Sequence, residues 1–397
     1  MRTFYIIGAG PGAPQGLTRE AADVIMSCAA VIATERIARD LRRLRADIAA
    51  VPYGETAERA LASGGDAAIL VSGDTGFYSA ARTLIPTLSE HGEVRVLPGI
   101  GSLQYFCARL QTRWDDAELI SLHGRAAPLL GAVAYSQKVL ALTGGVGNGA
   151  GEVCARLNAA GLGFVGVRIG ENLSSENERI ISGTAAELAN MNTSEMSVML
   201  LENPAFTNPD LPLRDADFVR GDTPMTKEEI RWIAAAKLRI SRGDTVLDVG
   251  AGTGSCSMEF ARRANRGRVF AVERDADALR LIVENRIKTG AFNSEIIAAE
   301  APDGLDGLPT PDRVFVGGSG GRLREILTPL FARNPRLRVV ITAITLETLH
   351  EAVTVMEELR LSDVEVAQIS AARTRRAGTY HMLTGQNPVF IISGGGD

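Results

Sequence analysis

The sequence predicts an α/β protein made of two successive α/β halves. Three observations carry this. Short apolar runs alternate with helix-length stretches, many of the runs end in glycine-rich loops, and a Pro/Asn-rich stretch after Glu202 interrupts the series before it resumes. A chain of 397 residues also exceeds what one ordinary hydrophobic core fills.

The first half opens with a strand, Thr3 to Ile7, entering the loop Gly8-Ala9-Gly10-Pro11-Gly12. Thr18 is a good N-cap, so a helix starts there rather than at the glycines. Further strands are expected at 30–33, 67–71, 93–97, 138–142, 164–169 and 197–201, with helices between most of them. Asn203-Pro204, Asn208-Pro209-Asp210 and Leu211-Pro212 then lie in a linker over 204–220. The second series runs to Phe390, so the expected domains are 1–203 and 221–397.

Composition bounds the function. With 45% hydrophobic and 22% charged residues the chain is globular, and its net charge of −5 argues against nucleic acid or an anionic membrane as partner. The cysteines Cys28, Cys107, Cys154 and Cys256 are scattered without metal-ligand spacing, so neither a disulfide framework nor a bound metal is expected. Scattered thiols, no membrane-length apolar run and too short an apolar start for a signal peptide lead to the expectation of a cytoplasmic protein.

The second half carries the sharper motif. Thr245-Val246-Leu247-Asp248-Val249 leads into Gly250-Ala251-Gly252-Thr253-Gly254, an apolar strand running through an acidic residue into a G-x-G-x-G turn. Such glycines let backbone approach a ligand closely. The next strand, Arg268 to Val272, ends in Glu273, where a carboxylate can bind both ribose hydroxyls of an adenosine ligand. Ala299-Glu300-Ala301-Pro302 closes the third strand, placed to border the adenine. A dinucleotide turn would need G-x-G-x-x-G/A, but Ser255 occupies the last position and Asp248 is foreign to that fingerprint. S-adenosyl-L-methionine has no pyrophosphate and carries a sulfonium and an ammonium that Asp248 can attract. The fourth strand, Arg313 to Val316, leads into Gly317-Gly318-Ser319-Gly320-Gly321, which either leaves room for a bulky substrate or merely permits a tight turn.

The first half is more ambiguous alone. Gly8, Gly10 and Ala13 satisfy G-x-G-x-x-A, but Pro11, Pro14 and the delayed helix oppose a pyrophosphate loop. An NAD-dependent oxidoreductase half, or an idle substrate-binding module, stays open from these residues. Other strand-end loops add weight to a different ligand: Ser72-Gly73-Asp74-Thr75-Gly76-Phe77-Tyr78, Pro98-Gly99-Ile100-Gly101-Ser102, Ser121-Leu122-His123-Gly124-Arg125 and Leu142-Thr143-Gly144-Gly145.

GAGPG, SGDTGFY, PGIGS and SLHGR together resemble the tetrapyrrole (precorrin) methylase family, the class III methyltransferases, over roughly 1–203. Thr223-Pro224-Met225-Thr226-Lys227-Glu228-Glu229-Ile230-Arg231, with DVGAGTGS and FVGGSGG, resembles the class I Rossmann-like domain that methylates and decarboxylates a precorrin, over roughly 221–392. The resemblance implies a class III domain of two α/β subdomains fused to a class I domain. Together they would methylate precorrin-6B at positions 5 and 15 and remove the ring C acetate carboxyl, in cobalamin biosynthesis. It also implies cofactor contacts at Gly73, Asp74, Thr75, Gly101, Ser102 and Thr143 in the first domain, with Gly10-Pro11-Gly12 bordering the substrate. In the second domain the contacts are Thr226, Gly250, Ala251, Gly252, Thr253, Gly254, Glu273 and Ala301. Thr75 stands where many relatives have proline, and Glu300 where aspartate is common.

A substrate bearing many carboxylates should meet arginines. Arg373, Arg375 and Arg376, flanking a turn before the strand Gly378 to Leu383, together with His123 and Arg125, are the candidates for positioning it. A solvated charged face is the competing explanation for the C-terminal cluster. A homo-oligomer is expected, a tetramer being one option.

Overall fold

The computed structural model describes residues 2–123, 127–194 and 197–396. By compactness the chain divides into two units, one of Met1–Ala126, Lys138–Asn158 and Gly163–Glu202, the other of Ala127–Gln137, Ala159–Leu162 and Asn203–Asp397.

The first unit holds two sheets. Strand β1 (Thr3–Gly8), helix α1 (Arg19–Ser27), β2 (Ala30–Ala33), α2 (Glu35–Leu41), β3 (Ala49–Ala50), α3 (Thr56–Leu61), β4 (Ala67–Val71), α4 (Ala81–Ser89) and β5 (Glu93–Leu97) build the first, in the order β3-β2-β4-β1-β5. All its pairings are parallel, and every residue of β4 is buried, as helical cover on both faces requires. Thr18 caps α1 as expected, its Oγ1 accepting from the Ala21 amide at 3.1 Å. The glycine loop is therefore followed by a single 3-10 turn, Pro14–Gly16, and not by an α-helix N-terminus, which removes the main physical support for a pyrophosphate site there.

Helix α5 (Ser102–Arg109) leads to β6 (Glu118–Ser121), and α6 (Leu129–Tyr135), β7 (Lys138–Thr143), α7 (Ala150–Leu157), β8 (Gly166–Glu171), β9 (Arg179–Thr184) and β10 (Ser197–Glu202) follow. The second sheet is mixed, ordered β6-β7-β10-β8-β9. Strand β8 begins two residues later than its apolar run, and β9, an edge strand, carries too weak an alternation to be anticipated.

The second unit is a seven-stranded sheet ordered β13-β12-β11-β14-β15-β19-β16. Its elements are α8 (Glu228–Lys237), β11 (Thr245–Val249), α9 (Ser255–Arg263), β12 (Arg268–Glu273), α10 (Ala276–Thr289), β13 (Ser294–Ala298), β14 (Arg313–Val316), α11 (Leu323–Arg333), β15 (Arg338–Ala343), α12 (Leu346–Glu358), β16 (Glu365–Ile369), β17 (Ala372–Ala377), β18 (Tyr380–Gly385) and β19 (Val389–Gly395). The strand order reverses at β11 and β14, which is where an open α/β sheet leaves a crevice for a ligand.

Two local features differ from expectation. Arg373, Arg375 and Arg376 do not flank a turn but form β17, which pairs antiparallel with β18 as a hairpin outside the main sheet. Its sequence, ARTRRA, has no apolar alternation to signal a strand. The stretch 204–220 packs into the second unit, where Leu213 and Phe218 are buried beside α8 and β11 residues. Helix α6, apolar nearly all round, is buried in the same unit: Gly131 passes so close that a Cβ would stand 2.1 Å from the Asn265 carbonyl oxygen. Tyr135 donates to Asn293 Oδ1 at 3.2 Å, and Asn203 Nδ2 donates to the Val133 carbonyl at 2.8 Å.

Candidate functional site

In the second unit the glycine turn follows directly from β11. Gly250, Gly252 and Gly254 all have positive φ (71°, 56° and 76°), backbone that L side chains rarely adopt. Gly250 also abuts the loop after β14, and a Cβ there would lie 2.7 Å from the Gly318 carbonyl oxygen. In that loop a Cβ on Gly317 would stand 3.1 Å from the Gly250 carbonyl oxygen, and Gly320 and Gly321 have positive φ. Added Cβ atoms at Gly318, Gly320 and Gly321 would meet nothing within 4 Å, so the loop also borders open space.

Glu273, ending β12, braces the turn. Its Oε2 accepts from the Gly252 amide at 2.8 Å, and its Oε1 accepts from the Arg274 and Asp275 amides at 2.8 and 2.9 Å. Asp248 is fully buried within β11. Ser257 donates to its Oδ2, while Oδ1 is buried with no partner among the described residues. Burial pushes its carboxyl up to about 7, the Ser257 hydrogen bond opposes the shift, and the nearby Glu273 charge adds to it. A buried acceptor left unsatisfied is costly in a native fold, and a carboxyl so strongly shifted is a candidate for a functional role. Ala301 is buried in the adjoining core, whereas Glu300 is exposed and paired with Arg274 at 2.7 Å.

Thr226 belongs to a strap, 223–226, that lies against the glycine turn: a Cβ on Gly252 would stand 3.5 Å from the Pro224 carbonyl oxygen. The strap is tied down by Arg231, which is fully buried and donates to the carbonyls of Thr226 and Leu213, each at 2.7 Å. Arg373 does not stand free for a substrate carboxylate. Its Nε and Nη2 grip Glu229 at 2.8 and 2.6 Å, and its Nη1 reaches Asp215 at 3.0 Å. The Arg373 hydrogen bonds hold the Glu229 carboxyl below its usual range. Arg375 and Arg376, by contrast, are exposed.

In the first unit three loops meet. Gly10 and Gly73 exchange backbone hydrogen bonds at 3.2 and 2.9 Å, and Cβ atoms on Gly8 or Gly99 would collide with Gly73 and with each other's backbone. Asp74 joins the loops, accepting from the Gly76 amide at 2.8 Å and the Gly99 amide at 3.3 Å. A cavity of about 1460 Å³ opens over them, lined by Gly73, Asp74, Gly101, Ser102, Thr143 and His123, together with Gly10, Pro11 and Gly12. Thr143 is fixed from below, its Oγ1 donating to the Ser197 carbonyl at 2.8 Å. Thr75 shares the loop but does not line the cavity, and Arg125 lies outside the described residues.

Several residues around these sites went unread in the sequence. Arg36, Arg39 and Arg43, on and just after α2, line the first cavity at spacings of three and four, the period of one helix face. That spacing was the available signal. Asp215, in the expected linker, had none, and Arg231 stood only as the last residue of the 223–231 stretch, with no signal for its buried role. Among the described residues, no cluster of three His, Cys, Asp or Glu side chains is arranged to hold a metal ion, and no helix is long and apolar enough to cross a membrane.

Residues 217–394 match the family model described as the precorrin methyltransferase domain, and residues 3–189 the one described as tetrapyrrole (corrin/porphyrin) methylases. A Pyrobaculum calidifontis protein named probable cobalt-precorrin-6B C(15)-methyltransferase (decarboxylating) is 42% identical over 191 residues, 47% of this chain and 96% of that protein. The chain belongs to the precorrin methyltransferases. The Salmonella typhimurium protein named cobalt-precorrin-6B C(15)-methyltransferase (decarboxylating) is 37% identical over 183 residues, 46% of this chain and 94% of that one. Among solved structures, a precorrin-6y C5,15-methyltransferase from Geobacter metallireducens is 39% identical, covers 47% of this chain and 98% of that one, and has a TM-score of 0.45. As a precorrin methyltransferase the chain is a carbon-methylating enzyme.

Proposed function

We propose that the chain methylates precorrin-6B twice with S-adenosyl-L-methionine. Residues 221–397 would methylate position 15 and release the ring C acetate carboxyl, and residues 1–203 would methylate position 5. The observation that supports the reading best is the left-handed glycine turn after Asp248, braced by Glu273 at the Gly252 amide, with Asp248 Oδ1 buried and without a partner among the described residues. The two C(15) relatives described above cover 47% and 46% of the chain, about the length of its second half, which supports giving position 5 to the other half. The cavity over Gly73, Asp74, Gly101 and Thr143 is large enough for such a role.

When bound, the cofactor supplies an electrophilic methyl group on a sulfonium. Asp248 would hold its ammonium end, Glu273 its ribose hydroxyls and Ala301 the edge of its adenine, while the turn 250–254 lets backbone come close. The enzyme's own task is then placement: a meso carbon of the macrocycle is an enamine-like nucleophile, so in-line orientation does more than a strong base. Arg375, exposed on β17, would take a substrate carboxylate. Carbon dioxide leaves the acetate only when the ring beside it can accept the electron pair, and methylation at the neighbouring meso carbon creates that acceptor.

Mass spectrometry of the product from precorrin-6B tests the reading. Two methyl gains with loss of one carbon dioxide are expected, and Asp248→Ala should abolish the carbon dioxide loss together with one methyl gain. Release of labelled acetate carbon by that variant without methyl transfer refutes the coupled mechanism. A 1–203 fragment that binds a dinucleotide instead of S-adenosylhomocysteine refutes the assignment of the first half.

A further inference from the structure

The charged residues around Arg373 form one connected network that ends on the strap at the glycine turn. Arg373 clamps Glu229 through two nitrogens and reaches Glu228 at 3.4 Å, both in the first turn of α8. Its third nitrogen meets Asp215 Oδ2 at 3.0 Å, and Asp215 Oδ1 lies 3.3 Å from Arg231 Nη1. Glu228 Oε2 in turn accepts from the Asp215 amide at 2.6 Å. Arg231, stacked on Phe218 at 4.7 Å, passes the constraint to the Thr226 carbonyl. Asp215 is only 4% exposed, and its arginine partners, Arg373, Arg231 and, at 4.0 Å, Arg220, are what make a buried carboxylate tolerable there.

We propose that Arg373 is a positioning residue for the cofactor: through Glu229, Asp215 and Arg231 it fixes the 223–226 strap against the glycine turn and couples the β17–β18 hairpin to cofactor binding. Its guanidinium is spent on three carboxylates and so is not the group that meets the macrocycle. Without it, Glu228, Glu229 and Asp215 repel one another around the start of α8, and the segment that carries Thr226 loosens. The inference rests on the reading that the glycine turn holds the cofactor.

Calorimetry of the full chain with S-adenosylhomocysteine tests it, with Glu273→Ala identifying which sites belong to the second unit. Arg373→Ala should weaken only those sites, by about tenfold. It should also speed hydrogen exchange of the 223–226 amides in the free protein and leave the KM for the macrocycle unchanged. Arg373→Lys, which keeps the charge but not the two-point grip on Glu229, should fall between and serves if the alanine variant does not fold. If Glu273→Ala weakens its sites while Arg373→Ala and Arg373→Lys leave them intact, the inference fails and the cofactor reading stands. A raised macrocycle KM with unchanged cofactor affinity, or equal weakening of all sites, also overturns it. If Glu273→Ala weakens no site, the cofactor reading fails and this inference with it.

Discussion

Replacing Asp248 by asparagine separates the cost of its charge from the role of its shape. Its folded carboxyl sits at about 7, against an ordinary value of 3.8, chiefly because burial disfavours the ion. A folded pKa above the unfolded one means the fold favours the proton. The stabilisation is full below about pH 4 and disappears as pH rises through about 7. The interval of roughly three units corresponds to at most about 4 kcal/mol. The amide of an Asp248→Asn variant cannot ionise, so the free variant should gain on the wild type progressively across that window, by up to about 4 kcal/mol near pH 8. Denaturant midpoints of the free proteins across the window measure the gain. Ligand binding gives a second reading, since a cationic cofactor end beside Oδ1 favours the ion. Wild-type binding of S-adenosylhomocysteine should therefore release close to one proton more than the variant near pH 6, and little more near pH 8. Calorimetry in buffers of different ionisation enthalpy counts those protons. Equal pH dependence of stability in both proteins, or equal proton release, refutes the assignment of a strained, ligand-seeking carboxyl.

Gly250→Ala should cost roughly 2 kcal/mol or more, from left-handed backbone and the clash with Gly318, and weaken cofactor binding; thermal unfolding and calorimetry read both. Glu273→Ala strips three backbone amides of their acceptor and should weaken one class of cofactor sites by roughly 10- to 150-fold, a loss measured by titration. Arg375→Ala should raise the macrocycle KM by an amount equivalent to roughly 1–3 kcal/mol and leave cofactor affinity unchanged; no change in steady-state kinetics returns Arg375 to the solvated surface. A fragment starting at Gly221 loses the buried Leu213 and Phe218, so it should be several kcal/mol less stable to denaturant than one starting at Asn203.

Much of the molecule was legible as local pattern. Strands such as β4 and β11 announce themselves as short apolar runs because both faces of a parallel sheet are covered. The turn after β11 is legible because positive φ at three alternate positions admits little but glycine. Thr18 gives away the start of α1 by its capping oxygen. Each of these signals lies within a few residues of the structure it specifies, which is why sequence alone determined two α/β halves, their glycine loops and the carboxylates at their strand ends.

What the tertiary structure alone decided depends on residues brought together from far apart. The sequence shows Arg373 as one of three arginines near a turn, and only folding sets it against Asp215, 158 positions earlier, so that its charge is spent inside the protein. Proline and asparagine made 204–220 read as a tether, yet the sparse Leu213 and Phe218 bury it in the second unit. The buried Oδ1 of Asp248 and its raised pKa likewise belong to no motif, because desolvation is a property of everything packed around a group rather than of its neighbours in the chain.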